Sequence, residues 1–268
     1  NILKGLGIIQ LQTSNFQPPT VRRDLAIEED LIEEIGRIYG YEKIKAVHPK
    51  GELISPEENK YFDAAKKARD FITNRGFAEI YGYSFMGEND LEIFEPLLRK
   101  AVFELQNPLS PEFKFLRLFL LPSLLKAVSL NFKNYDNFGL FEIGKAFNAG
   151  VEKRGLAAVL AAKDSEGAEL FYRAKGVSSL ILEAFGIGDG WFDDALDDNE
   201  IQSSLLSVCH PYRRAQIKIG NKTVGALGEA RLDILNHYGV KKGRAVFFEI
   251  DFDALVEKIE EKKEFRQF

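Results

Sequence analysis

Carboxylates are crowded between residues 21 and 44, and this is where the sequence shows the most chemistry. Five acids lie within seven positions there: Glu28, Glu29, Asp30, Glu33 and Glu34. Asp30, Glu33 and Glu34 are spaced i, i+3 and i+4, so a helix would place their side chains on one face. Hard cations such as Mg²⁺ prefer carboxylate oxygens, and a basic partner would also be attracted to them. The segment therefore indicates a bound cation, a basic partner, or both.

An ordinary charged helix would explain the same residues without a ligand. Acids in a first helical turn complement the helix dipole. Arg37 follows Glu33 by four residues and Glu34 by three, so its guanidinium can pair with both. Asp24 stands just before the helix and could fold toward it. From spacing alone, a solvated or salt-bridged face is favoured over a metal site.

The helix that would hold these acids is predicted over residues 27–39. Its narrow apolar stripe consists of Ile27, Leu31, Ile35 and Ile38, at spacings of four, four and three. Gly40 is the expected C-cap. The sequence His-Pro-Lys-Gly at residues 48–51 then breaks the pattern, and a domain boundary is predicted there.

Beyond this boundary, long predicted helices alternate with strands that resemble hairpins. Helices are expected over residues 56–75, with Ser55 as the N-cap, and over 121–131, 176–185 and 252–262. Strands are expected over residues 77–86, 138–147, 156–161 and 245–250, with a hairpin over 215–227 that turns at residues 220–222. Because the spacing is not that of regular βαβ units, an α+β fold with a mostly antiparallel sheet is predicted.

Composition narrows the class of protein. The 268 residues suffice for one large or two ordinary domains, and no apolar run approaches the length of a membrane helix. A net charge of −5 argues against a strongly basic nucleic-acid binder, although it allows a local basic face. A single cysteine, Cys209, excludes an internal disulfide framework and favours a reducing compartment. The sequence shows no signal peptide.

Three other motifs are better explained by structure than by chemistry. The glycines of residues 225–231 superficially resemble an ATP-binding strand, but strand crowding and turns are favoured. Cys209 beside His210 offers too few ligands for zinc. Two lysine-rich clusters, at residues 60–69 and 241–244, are interpreted as solvated faces, although phosphate contact stays open. The abundant phenylalanines are assigned to the core, because no single strand shows a base-stacking platform.

Short motifs, taken in order, resemble the β subunit of bacterial phenylalanyl-tRNA synthetase. In that family a Pro-x-x-Arg-x-Asp stretch leads into Asp-Leu-x-Glu-Glu and then Arg-x-Tyr-Gly-Tyr. Here these motifs occupy residues 19–24, 30–34 and 37–41. Further matches are Asn-Pro-Leu-Ser at 107–110, Leu-Arg at 116–117, Leu-Leu-Pro-Ser-Leu-Leu at 120–125, Leu-Phe-Glu-Ile-Gly at 140–144 and Phe-Glu-Ile-Asp at 248–251.

The resemblance implies a fold and a domain layout. The fold would be that of class II aminoacyl-tRNA synthetases, an antiparallel sheet flanked by helices. Residues 1–50 are expected to form part of a small winged-helix-like domain and residues 51–254 an inactive catalytic-like domain. Residues 255–268 would be a linker toward a C-terminal anticodon-binding domain. The chain is accordingly expected to be a fragment without that domain and without the editing domain of the family.

The resemblance also implies a non-catalytic role within a ligase. In the family, the β subunit packs against an α subunit that holds the phenylalanine and ATP sites, in an α₂β₂ heterotetramer that charges tRNA(Phe). This chain would supply subunit interface and tRNA-facing surface in the cytoplasm, with no membrane partner and no catalytic residue. The arginines that hold ATP in active class II domains have no counterpart in residues 138–147. The alternative is a stand-alone tRNA- or protein-binding module with the same fold.

Four of the crowded acids acquire a specific role from the resemblance. The family assigns a Mg²⁺, shared with the α subunit, to the positions of Asp24, Asp30, Glu33 and Glu34. The resemblance thus favours a metal where spacing alone favoured a salt-bridged face. The ion is expected to depend on the α subunit for its binding.

Overall fold

The chain divides into two compact units, Asn1–Glu57 and Glu58–Phe268. The structure is a computed structural model, and it describes residues 1–52, 54–55, 57–94, 97–148, 150–195 and 200–262. Within this described part of the chain, no helix combines the length and apolar character needed to cross a membrane. The predicted boundaries after residues 50 and 254 stay predictions.

The described residues of the first unit form two helices and a small hairpin. In chain order these are α1 (Ile2–Gly5), β1 (Ile9–Gln12), β2 (Asn15–Gln17) and α2 (Glu28–Tyr39), followed by a 3₁₀ turn at Tyr41–Lys43. The two strands pair antiparallel. Helix α2 thus matches its prediction to within one residue, but its apolar stripe is largely exposed at Ile27, Ile35 and Ile38.

The second unit contains the remaining helices and strands. Its helices are α3 (Lys60–Thr73), α4 (Glu88–Glu92), α5 (Leu121–Asn131), α6 (Gly167–Ala184), α7 (Glu200–Ser207), α8 (Leu232–His237) and α9 (Phe252–Lys262). Its strands are β3 (Phe77–Glu79), β4 (Phe85–Met86), β5 (Phe115–Leu116), β6 (Asn137–Asn148), β7 (Val151–Ala162), β8 (Gly190–Asp193), β9 (Cys209–Ile219), β10 (Lys222–Ala230) and β11 (Arg244–Asp251).

One seven-stranded sheet organises the second unit. Its strand order is β3-β6-β7-β11-β10-β9-β8, and β4 and β5 form a separate small sheet. Neighbouring strands of the large sheet run antiparallel, except that β3 pairs in parallel with β6. The prediction of an α+β fold with a mostly antiparallel sheet is therefore confirmed.

Both faces of this sheet are buried. Along β7, Ala157, Val159 and Ala161 belong to one hydrophobic cluster, while the alternating Leu156, Ala158 and Leu160 belong to the other. Helices α5, α7 and α8 contribute to the first cluster, and helices α3, α6 and α9 to the second. This two-sided burial explains why residues 156–161 form an apolar run with no polar alternation.

Several predicted boundaries were wrong. Helix α3 begins at Lys60, capped by the side chain of Asn59, which accepts a hydrogen bond from the backbone N–H of Phe62. Ser55 is therefore not the N-cap, and residue 56 lies outside the described residues. The single strand predicted over residues 77–86 is divided into β3 and β4. Helix α6 starts nine residues earlier than predicted, at Gly167 rather than at Gly176.

Candidate functional site

The acidic segment of the first unit is organised by two arginines. The guanidinium of Arg22 donates two hydrogen bonds to the carboxylate of Asp24, at 3.0 and 2.6 Å, and one to Oε1 of Glu34, at 2.8 Å. Arg37 donates to the other oxygen of Glu34, as its i, i+3 spacing predicts. The hydrogen bonds from Arg22 hold the pKa of Asp24 below its usual value. Those from Arg22 and then Arg37 do the same for the pKa of Glu34.

Asp30 and Glu33 have different surroundings. Oδ2 of Asp30 accepts hydrogen bonds from the backbone N–H groups of Ala26, at 2.6 Å, and Ile27, at 2.9 Å, at the start of α2. These bonds, with that of Ile27 the stronger influence, lower the pKa of the Asp30 carboxyl. Glu33 is exposed, and it has no ion-pair partner among the residues described. The four acids therefore do not share one environment. Asp24 and Glu34 both bind Arg22, Asp30 accepts from the backbone at the helix start, and Glu33 is exposed.

The fit of these acids to Mg²⁺ can be judged from their present partners. Their oxygen chemistry suits the ion. Their arrangement in this chain alone does not suit the ion. Both carboxylate oxygens of Glu34 pair with Arg22 and Arg37, and Oδ2 of Asp30 accepts from the backbone at the start of the helix. Within the described ranges, no three His, Cys, Asp or Glu side chains come together as a metal site. Spacing alone favoured a solvated or salt-bridged helix face. The ion pairs of Glu34 with Arg22 and Arg37 agree with that alternative.

A buried ion pair lies on one face of the large sheet, and sequence reasoning missed it. Arg117 and Glu142 are 2.8 Å apart, and each side chain is only 3% exposed. Nε of Arg117 also donates to the backbone carbonyl of Lys145, at 2.8 Å. Oε2 of Glu142 is buried and has no hydrogen-bond partner in the described part of the chain. Both residues belong to motifs quoted for the family resemblance, but their pairing across 25 positions has no local signal.

Glu249 on β11 fixes the start of helix α5 to the same sheet face. Its carboxylate accepts hydrogen bonds from the backbone N–H groups of Leu120, at 2.9 Å, and Leu121, at 3.0 Å. Such groups at a helix N-terminus lack partners within the helix. Burial raises the pKa of the Glu249 carboxyl to about 7, although these two hydrogen bonds act in the opposite direction. Leu120 and Leu121 are fully buried, so this part of the sheet face is filled by apolar side chains.

The glycine-rich stretch and Cys209 have structural surroundings. A side chain at Gly225 would collide with the backbone of Glu249 on the neighbouring strand, in keeping with the expected role in strand crowding. Cys209 is buried, its Sγ lies 3.3 Å from the carbonyl oxygen of Leu205, and burial raises the pKa of its thiol. His210 accepts a hydrogen bond from the backbone N–H of Tyr212.

The sheet and its flanking helices define the fold class. The architecture is that of class II aminoacyl-tRNA synthetases, and a pyrrolysyl-tRNA synthetase from Desulfitobacterium hafniense shares it. That structure superposes with a TM-score of 0.60 over 75% of this chain and 69% of its own, at 16% identity. At this level of identity the likeness establishes the fold alone.

Sequence comparison then identifies the family. The model of the phenylalanyl-tRNA synthetase beta chain CLM domain matches residues 44–252, and that of the tRNA synthetase B5 domain matches residues 1–41. The chain therefore belongs to the phenylalanyl-tRNA synthetase beta chain family, which confirms the resemblance found in its motifs.

Two curated relatives illustrate how much of such a subunit this chain represents. The phenylalanine–tRNA ligase beta subunit of Fusobacterium nucleatum is 31% identical over 91% of this chain and 31% of its own length. That of Syntrophus aciditrophicus is 30% identical over 100% of this chain and 35% of its own length. The chain thus spans about a third of the length of the relatives it matches.

Proposed function

We propose that this chain acts within a phenylalanine–tRNA ligase, as the part of the β subunit that packs against an α subunit. The observation that carries the proposal is the match to two successive domain models of this family, which together span almost all of residues 1–252. In the proposed α₂β₂ assembly, the α subunit binds phenylalanine and ATP and transfers the amino acid to tRNA(Phe). This chain supplies subunit interface and a surface that faces the tRNA.

The proposed assembly assigns no catalytic residue to this chain. Support comes from the sheet face that carries Arg117, Glu142 and Glu249, because Arg117 pairs with Glu142 there and Glu249 accepts hydrogen bonds from the backbone at the start of α5. Leu120 and Leu121 pack over it. The cytoplasm is the proposed location. The one cysteine of the sequence, Cys209, is free and buried, as suits a protein that needs no oxidising compartment.

Assembly with the α subunit is the test of the proposed function. The chain is co-expressed with the phenylalanyl-tRNA synthetase α subunit of the same genome and analysed by gel filtration. We expect stable co-elution with that subunit and none with an unrelated class II synthetase subunit. The chain alone should form no phenylalanyl-adenylate. Adenylate formation by the chain alone would contradict the non-catalytic role, and absence of any complex would favour the stand-alone binding module.

We further propose that Asp24, Asp30, Glu33 and Glu34 contribute to a Mg²⁺ site only when the α subunit is bound. The support is that all four are oxygen donors that lie in α2 or just before it, and that the pKa values of Asp24, Asp30 and Glu34 are lowered, which keeps these three deprotonated. Within this chain Arg22 and Arg37 neutralise Glu34, so further oxygen ligands from the partner would be needed.

Calorimetric titration with Mg²⁺ tests this site independently of enzyme activity. We expect binding by the assembled complex, little binding by the chain alone, and loss of the complex signal in Asp30→Ala and Glu34→Ala. Glu28→Ala is the matched control, since Glu28 lies in the first turn of α2 but outside the proposed set. A Mg²⁺ affinity of the complex that is the same in the parent and in all three variants would exclude these acids as ligands.

A further inference from the structure

Five segments of the second unit, far apart in sequence, meet at one end of the large sheet. The start of β6 pairs with the end of β7, since Asn137 lies opposite Ala162, and the start of β11 pairs there too, with Arg244 opposite Ala162. The end of β10 pairs with the start of β9, where Ala230 lies opposite Cys209. This end of the sheet, the basic end, comprises residues 133–136, 163–166, 210–214, 229–233 and 241–244.

The basic end is positively charged although the chain as a whole carries a charge of −5. Its five segments hold eight basic and five acidic residues. The basic residues are Lys133, Lys163, Arg213, Arg214, Arg231, Lys241, Lys242 and Arg244. Of these, Lys133, Arg214, Lys241 and Lys242 have no carboxylate partner within ion-pair distance among the residues described. Lys133, Lys241 and Lys242 are also exposed and are therefore available to an anionic partner, whereas the half-buried Arg214 donates to the backbone carbonyl of Leu206.

A buried carboxylate, that of Glu229, holds two arginines of the basic end in place. Glu229 is only 1% exposed, and its two carboxylate oxygens bind Arg213 of β9 and Arg244 of β11, the latter at 2.7 Å. Burial by itself would raise the pKa of Glu229, but the hydrogen bonds from these two arginines outweigh it and lower that pKa. Glu229 thus stays charged and ties three strands together at this end.

The turn that presents Lys241 and Lys242 is also fixed. Gly243 has a φ of +104°, in the region that favours glycine, and a Cβ there would lie 2.8 Å from the carbonyl oxygen of Ala162. The two lysines are exposed beside an open cavity of about 460 Å³, which Lys163 and Arg244 also line. Asp164 and Glu166 line the cavity too, so its wall carries four basic and two acidic side chains, and it offers room for a phosphate group beside the two lysines.

Two segments of the basic end each carry an exposed tyrosine ring. Tyr212 is 89% exposed just before Arg213, and Tyr135 is 58% exposed just before β6. The strands β6 and β9 are four sheet positions apart, so their backbones are separated by roughly 19 Å across the sheet. Bases of a single strand stack on such rings while cations contact the phosphates between them.

We propose that the basic end is a binding surface for single-stranded or loop RNA. Lys241 and Lys242 would contact phosphates, and Tyr212 would stack on a base. The inference rests on the proposed function for the choice of RNA as the anionic partner. Exposed aromatic rings beside the cations favour RNA over an acidic protein, because a protein carboxylate gains nothing from a stacking platform.

Fluorescence anisotropy of labelled RNA, measured with the purified chain, tests the proposal. The probes are a tRNA(Phe) transcript and a short single-stranded RNA, each titrated at several salt concentrations. The test variant is Lys241→Glu with Lys242→Glu. Its matched control is Lys66→Glu with Lys67→Glu, which makes the same charge change at two adjacent exposed lysines on α3. Circular dichroism checks that both variants fold.

We expect the 241/242 variant to bind RNA roughly tenfold more weakly or worse, and the control to bind within about threefold of the parent. The slope of log affinity against log salt should fall by about 1.4, since each lost single-strand phosphate contact contributes about 0.7. Tyr212→Ala should weaken binding roughly fivefold to tenfold, and Tyr212→Phe should retain it, because the ring alone stacks.

Three outcomes would overturn the proposal: equal losses in the 241/242 variant and its control, unchanged binding in the 241/242 variant, or competition by polyglutamate as strong as by unlabelled RNA. The last would indicate an acidic protein partner instead. Co-elution of the same variants with the α subunit is scored separately. A chain that binds no RNA but still co-elutes disproves this inference and leaves the proposed function standing.

Discussion

Three charged side chains, Arg117, Glu142 and Glu249, lie buried on one face of the large sheet. Burying a charge costs free energy unless partners replace the lost water. Arg117 and Oε1 of Glu142 replace it for each other, and the carboxylate of Glu249 accepts hydrogen bonds from two backbone N–H groups at the start of α5. The hydrogen bonds to Glu249 therefore fix the position on the sheet at which α5 begins.

Glu249 should make the stability of the chain depend on pH in a defined direction. Its pKa in the folded protein is raised to about 7, above the ordinary value of 4.5. The folded state thus holds a proton more tightly than the unfolded state, so this contribution is complete below about pH 4.5 and is lost as the pH rises through about 7. Glu249→Gln removes the titration but keeps an oxygen that can accept from Leu120.

Urea unfolding of the parent and of Glu249→Gln, followed by the fluorescence of Trp191, measures this effect. Between about pH 5 and about pH 8 the stability of the variant relative to the parent should rise by roughly 2 kcal/mol. Because both proteins are measured in the same buffers, the titration of every other group cancels. Parallel pH profiles for the two proteins would show that Glu249 titrates as an exposed carboxylate does.

At the scale of single elements, two residues compete as the N-cap of helix α3. Local rules place the N-cap at Ser55, ahead of a proline, whereas the structure places it at Asn59. The Asn59 side chain accepts from the backbone N–H of Phe62 at 3.1 Å. Asn59→Ala should therefore cost about 1 kcal/mol of unfolding free energy, and Ser55→Ala less than about 0.5 kcal/mol.

Denaturant midpoints of the two alanine variants decide between these caps. Each substitution replaces one candidate capping side chain with a methyl group, so each is the control for the other. A larger loss in Ser55→Ala than in Asn59→Ala would mean that α3 begins earlier than the structure has it.

Elements were predictable to the extent that their signals are local. Helix α2, the long strands β6 and β7, and the hairpin of β9 and β10 follow from apolar periodicity and turn residues. The site was predictable only where partners are neighbours in sequence, as with Arg37 and Glu34. Arg22 reaches Glu34 across 12 positions and Leu120 reaches Glu249 across 129, and such contacts depend on how the chain folds back. Of the basic end, only the cluster at residues 241–244 was visible in the sequence, where a solvated face was favoured and phosphate contact stayed open. The other four segments contribute only one or two cations each, and their meeting depends on the fold.

At the scale of the whole molecule, the two units differ sharply in how much apolar surface they bury. Both hydrophobic clusters draw all their members from the second unit, between Ala64 and Leu255. In the first unit, Ile8 is the only apolar side chain that is buried among the residues described. A chain of under about 60 residues with so small a core is marginal by itself, since it cannot offset the entropy of ordering its backbone.

The second unit should therefore fold without the first, and the first should not fold without the second. Residues 58–268 expressed alone are expected to show near-ultraviolet circular dichroism and one cooperative unfolding transition, reported by Trp191. Residues 1–57 alone are expected to show weak helical signal that fades gradually on heating, because α2 exposes its apolar stripe at Ile27, Ile35 and Ile38. A fragment 58–268 without near-ultraviolet signal would mean that its two-sided core is insufficient. A cooperative transition in fragment 1–57 would mean that its charged network around Arg22 and Glu34 stabilises it far more than exposed ion pairs usually do.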